Sequence, residues 1–207
     1  SLGFLSSGAV FRVGTIALAG VDVAVGLGVM WILLRHSHRD HDAASADEHS
    51  EQLGHGARAV NPAYVWAGWC MIFTVTFVQR PLQSLFPAAC GQVGISPLVA
   101  GVVLFLHMLV QGVWGYTLRH FVSWRYRRTP IVLCHTAAAL AMGMVVWHPT
   151  FAVSSAAIVV LGLYSGFVYF SAVYYASNSG RRSLNIGVNE CLVGLGCLAG
   201  PFVSQRC

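Results

Sequence analysis

Apolar residues in this chain fall in runs too long for a half-buried soluble element, and short polar connections separate them. The runs extend from Val13 to Leu34, Ala63 to Phe86, Pro97 to Leu118, Pro130 to Trp147, Thr150 to Tyr175 and Leu184 to Ser204. Each is roughly 18 to 26 residues, enough at about 1.5 Å per residue to cross a hydrocarbon layer of about 30 Å. A backbone in lipid has to satisfy its own hydrogen bonds, so the pattern predicts an all-α, polytopic transmembrane helical bundle of six spans.

Composition agrees: 56% of the 207 residues are hydrophobic, 9% are charged, and the mean hydropathy is +0.66. A soluble fold needs more polar covering than that. The formal charge of +5 sits mostly in arginines that follow alternate runs. Arg35, Arg39 and Arg58 follow the first, Arg119, Arg125, Arg127 and Arg128 the third, Arg181 and Arg182 the fifth. The other side holds only Arg12 and Arg206, with Arg80 left inside a run. Basic connections stay on the cytoplasmic side, so the odd-numbered spans are expected to end there, in a plasma membrane of the bacterial inner-membrane kind. Arginines spread over short connections suit anionic lipid headgroups and point away from nucleic acid.

The one long connection, 35–62, is polar and is expected to be a disordered cytoplasmic linker. It divides the chain into 1–34, read as the last helix of a preceding half, and 63–207, a five-span bundle. A start at Ser1 and a stop at Cys207 directly after the last span lead us to expect a fragment. The linker's His36, His38, His41, His49 and His55, with Asp40 and Asp42, have metal-binding chemistry but not the spacing of a rigid site. No CxxC is present, and all cysteines but Cys90 and Cys207 fall inside runs, so no zinc or redox site and no cofactor is expected. No phosphate-binding GxxxxGK[ST] loop is present, so ATP is not the expected energy source.

A charge in hydrocarbon costs about 2.5 to 3.5 kcal/mol on insertion scales, which makes ionisable residues inside runs candidates for function. Asp22 either pairs with an arginine elsewhere, carries a proton, or stays neutral by burial. Arg80 either binds an anionic group or snorkels to headgroups, lying about two turns from the end of its run. Gln79 and Gln83 flank it as neutral hydrogen-bonding groups. His107 and His135, as imidazoles, are candidates for proton coupling or else satisfied core histidines; a bis-histidine haem is disfavoured because the two lie at different depths. Gly194, Gly196 and Gly200 line the last run for close packing, and Pro201 is expected to break or bend it near its outer end. Tyr64, Trp66, Trp69, Trp114, Trp124 and Trp147 lie near run ends, as an interfacial aromatic belt requires.

Two stretches carry a family resemblance. Gly115-Tyr-Thr-Leu-Arg119 through Trp124-Arg-Tyr-Arg-Arg-Thr-Pro130 resembles the basic cytoplasmic loop between helices eight and nine of major facilitator superfamily transporters. It keeps the arginines and lacks the motif's aspartate and second glycine. Ser179-Gly-Arg-Arg-Ser183 followed by Gly194-Leu-Gly-Cys-Leu-Ala-Gly-Pro201 is similar to the loop and eleventh helix of drug/proton-antiporter-like members. Arg80-Pro-Leu-Gln-Ser-Leu-Phe-Pro87 adds a third, looser match. The resemblance implies helices six to eleven of a two-half transporter, moving a small-molecule substrate by alternating access with proton coupling, efflux-like, together with the remaining half of the protein. It implies no catalytic residues. It also makes Arg119, Arg125, Arg127, Arg128, Arg181, Arg182 and Glu190 candidates for a cytoplasmic gate held by ion pairs. The competing readings are a membrane-embedded redox or haem enzyme and a metal-responsive scaffold or sensor.

Overall fold

The computed structural model describes residues 16, 20, 21, 23–35, 62–148, 150–179 and 181–206, without the side chains of 203–206. Asp22, Arg12, the linker histidines, Arg39 and Arg58 lie outside the described residues, whereas Arg35 ends α1 with its guanidinium 5.3 Å from the centre of the Trp31 ring. Those described form α1 (Val23–Arg35), α2 (Pro62–Gln92), α3 (Pro97–Leu118), α4 (Arg128–Trp147), α5 (Phe151–Ser177) and α6 (Arg182–Arg206).

Local chemistry sets several of these ends. After α2 the chain reverses through Gly94 at φ +76, a left-handed conformation that costs glycine nothing, and Ile95 N–H closes on the Cys90 carbonyl at 2.9 Å. Ser96 then caps α3 by accepting from Val99 N–H at 3.4 Å, with Pro97 at the first helical position where no N–H is needed. Thr150 caps α5 in the same way, accepting from Val153 N–H at 3.3 Å.

The fifth helix is the hub and packs against α2, α3, α4 and α6; α2 also meets α3 and α6. Tyr64, Ala67, Met71 and Ile72 of α2 and Phe167, Val168 and Tyr175 of α5 are almost inaccessible and form the centre of the core. Val29 and Leu33 of α1 join the same cluster, so α1 packs on the bundle.

Four helices, α3, α4, α5 and the Arg182–Phe202 part of α6, are long and apolar enough to cross a membrane, which makes the chain an integral membrane protein by length and composition. Six crossings are not all of this kind. The described part of α1 is too short, and α2, 31 residues long, is too polar. Its Thr74, Thr76 and Gln79 are buried against neighbouring helices, where hydropathy counts for less than it does against lipid.

Two expectations about ends need correction. The second span does not stop at Phe86: α2 continues through Pro87 to Gln92 and takes Cys90 into the helix, where it is buried beside Phe86 and Ala100. Of the two expectations for Pro201, a break or a bend, the break does not occur, since the last helix runs through it to Arg206. Nor are all the aromatic residues at span ends an interfacial belt. Trp66 and Trp147 are exposed, but Tyr64 and Trp124 are buried in a ring cluster with Tyr126, Tyr174 and Tyr175.

Candidate functional site

At mid-depth in the bundle three helices contribute polar side chains to one buried line. His107 is near the middle of the 22-residue α3, and Gln111 follows one turn later on the same face. That face presses on α5 through Gly162 and Gly166. A Cβ at Gly162 would lie 2.6 Å from the His107 carbonyl oxygen, and one at Gly166 would lie 2.5 Å from that of Gln111. Small residues four apart thus let the two backbones touch. The approach brings the His107 Nδ1 to 2.7 Å from the Ile158 carbonyl and lets Ser165 Oγ donate to Gln111 Oε1 at 3.2 Å.

From α2, Gln79 Nε2 meets His107 Nε2 at 2.8 Å and donates to Gln111 Oε1 at 3.1 Å. The carbonyl of Ile158 only accepts, so His107 carries its proton on Nδ1. Its Nε2 then accepts from the Gln79 amide, an assignment that follows from the network. Both amide hydrogens of Gln79 are used, and its Oε1 is buried without a partner among the described residues, as is Gln83 Nε2. Gln79, Gln83, His107 and Tyr164 line a largely apolar cavity of about 20 Å³ at this point, enough for about one water molecule.

His135 is elsewhere. It lies buried on α4, with Nδ1 3.2 Å from the Tyr164 hydroxyl, and it backs a groove of about 320 Å³ between α1 and α4. Tyr164 therefore stands between the two histidines, touching one and lining the cavity of the other. The imidazoles serve different helices and do not converge on a common centre. Among the described residues no three His, Cys, Asp or Glu side chains gather as a metal site.

Arg80, next to Gln79 in sequence, is exposed. Its Nε donates to Cys197 Sγ at 3.2 Å and its Nη1 to Gln83 Oε1 at 3.4 Å, and no carboxylate pairs with it among the described residues.

The gate arginines are gathered at one end of the bundle but not on Glu190. Arg119 and Arg127 flank the connection between α3 and α4 and are exposed, Arg128 opens α4, and Arg181 and Arg182 precede α6. Arg125 lies over the Tyr174 ring at 5.1 Å. Glu190 is exposed and forms no ion pair with any of them in this conformation. Of the glycines of α6, Gly196 and Gly200 sit directly against Thr76, Phe77 and Pro81 of α2, whereas Gly194 has nothing within 4 Å of its Cβ position.

Gln111 and Ser165 did not stand out in the sequence, since neutral polar residues are ordinary in spans. The signal available was spacing: His107, Gln111 and Gly115 on one face, and Gly162 and Gly166 on the other. No family model, curated protein or solved structure matches this chain.

Proposed function

We propose that the chain is part of a secondary active transporter that moves a small solute across the membrane by alternating access, coupled to protons. One observation carries this reading: a titratable His107 is built into a buried hydrogen-bonded line with Gln79, Gln111 and Ser165, halfway along helices whose other faces are apolar. Polar groups at this depth are costly, and they are placed on helix faces that meet each other and not lipid. Midplane sites between packed helices are where transporters bind and couple. A neutral His107 with a defined tautomer, next to a cavity the size of a water molecule, is suited to take up and release a proton.

The finer reading is a six-span arrangement like helices six to eleven of the major facilitator superfamily. The basic connections and the 35–62 linker then lie on the cytoplasmic side of a bacterial inner membrane, the partners being a small-molecule substrate, protons, lipid and the remaining half. It rests on the arginine-rich α3–α4 connection and on the Gly196–Gly200–Pro201 element, which packs against α2. Glu190 and the arginines of that side would pair only in the alternative conformation.

The test is transport by the protein expressed from its complete gene and reconstituted in liposomes containing a pH-sensitive dye. A panel of organic cations, anions and neutral solutes is applied to the outside. The reading expects at least one solute to move protons, and Gln79→Leu and His107→Gln each to uncouple the two fluxes. Solute-independent dye signals across the whole panel would sink it.

A further inference from the structure

The depth of Arg80 is the feature the transport reading leaves unused. A snorkelling arginine needs to be close to a span end, and the six residues between Arg80 and Phe86 suggested that it was. The helix in fact continues to Gln92, twelve residues or about 18 Å beyond Arg80. A second ruler agrees. Gln79, its neighbour in sequence, hydrogen-bonds to His107 near the middle of α3, a helix of 22 residues and thus about 33 Å. Arg80 lies one residue, about 1.5 Å, further along α2, so the guanidinium belongs near the bilayer midplane, beyond the reach of an extended side chain to either headgroup layer.

A permanent charge there requires a counter-charge, yet its two hydrogen-bond acceptors, Cys197 Sγ and Gln83 Oε1, are neutral. Both hold only one side of the fork. They tie the guanidinium to α2 and α6 and leave its remaining N–H groups unused on an exposed side chain. Glu190, two turns before Cys197 on α6, is not among the hydrogen-bond partners of Arg80. A planar cation held by neutral partners, with donors to spare, matches carboxylate and phosphate geometry.

We infer that Arg80, anchored by Gln83 and Cys197 on the open α2–α6 face, is an anion-binding site at the membrane midplane. The solute it receives is a small molecule bearing a carboxylate or phosphate. The inference rests on the transport reading in naming the class of substrate. Gln83 also ties the site to the proton line: its Oε1 accepts from Arg80, and its Nε2 is buried beside the cavity that Gln79 and His107 line. An anion that also takes the Nη1 donor displaces Gln83 Oε1 from the guanidinium. The amide so released is free to turn toward Gln79 and His107, which links solute binding to the coupling histidine.

The experiment is calorimetric titration of the full chain in maltoside detergent, which contains no phosphate, with benzoate and inorganic phosphate as probes. Short-chain phosphatidate is a third, lipid-borne probe. Wild type is expected to bind one of them saturably, with Arg80→Gln weakening it roughly tenfold or more, as loss of a charged hydrogen-bond donor implies, and Arg80→Lys weakening it less. Benzoate or phosphate binding that short-chain phosphatidate does not displace identifies a free solute. Arg80-dependent binding of phosphatidate alone identifies a lipid headgroup, which keeps the anion site and overturns the substrate assignment. Equal binding by wild type and a folded Arg80→Gln overturns the site. Anion binding without coupled flux in liposomes would retain the site and reject the transport reading; coupled flux unchanged in Arg80→Gln would do the reverse.

Discussion

The contact between α3 and α5 turns on two glycines, and it is there that single-residue tests discriminate best. At Gly162 and Gly166 an added methyl would run into backbone carbonyls of His107 and Gln111, which have no rotamer with which to move aside. Gly162→Ala and Gly166→Ala should each destabilise the bundle by about 1 to 3 kcal/mol, the usual cost of overpacking, and should disturb the Ile158–His107 hydrogen bond. Gly115→Ala is the internal contrast, because its nearest neighbour is 3.7 Å away in ordinary contact. Gly194→Ala meets nothing and should be neutral or slightly stabilising by helix propensity. Thermal unfolding of the four variants in one detergent separates these cases; equal losses at Gly115 and Gly162 would contradict the close approach. The same scale shows why the site was half legible. His107 announces itself as an ionisable residue in an apolar run and Gln79 as a polar neighbour of Arg80, whereas Gln111 and Ser165 become part of a site only once Gly162 and Gly166 bring α3 and α5 together.

Among the elements, the connection from Arg119 to Arg127 is the most constrained. Tyr126 adopts φ 50, a conformation that side chains other than glycine rarely take, and it is held there by burial. Its carbonyl accepts from the Tyr64 hydroxyl at 2.5 Å, its ring packs on Tyr64 and Tyr175, and Trp124 Nε1 donates to the Leu118 carbonyl at 2.9 Å. Tyr64→Phe removes a buried hydrogen bond while keeping the ring, and should cost about 1 kcal/mol. Trp124→Ala empties the centre of the cluster and should cost several times that, about 3 to 5 kcal/mol. The readout specific to this element is limited trypsin cleavage at Arg125 and Arg127, expected to quicken in the order wild type, Tyr64→Phe, Trp124→Ala. Identical cleavage of all three would mean that the aromatic cluster does not hold the connection. Helix ends followed local chemistry where that chemistry was decisive: Ser96-Pro97 marks the start of α3 in sequence and structure alike. The end of α2 did not, because Pro87 reads as a breaker. A proline inside a helix is tolerable when neighbouring helices support the turn around it, and no local pattern records such neighbours.

At the scale of the whole molecule, two faces of the bundle have opposite requirements. Leu98, Val102, Phe105, Leu109, Val113 and Tyr116 form one exposed apolar row along α3, a face made for lipid, while the polar interior lies on the other side of the same helix. A spin label at Phe105 should accordingly be relaxed by oxygen dissolved in the bilayer and shielded from a water-soluble paramagnetic chelate. The reverse result would place water or another protein surface on this face. The proposed direction of crossing rests on charge. The α3–α4 connection carries Arg119, Arg125 and Arg127, with Arg128 opening α4, whereas the turn between α4 and α5 carries none. Phe121 is exposed in the former and His148 in the latter. With the native cysteines replaced by serine, Phe121→Cys should react with a membrane-impermeant maleimide only in inverted vesicles, and His148→Cys only in intact cells. This pair decides more than orientation. If Phe121→Cys reacted from outside, α2 would run the other way, the arginines at this end would face the external solution, and a cytoplasmic gate built from them and Glu190 would have to be abandoned. The buried line through Gln79 and His107 would still stand at mid-depth, since its position depends on the packing of α2 on α3 and is indifferent to which side is which.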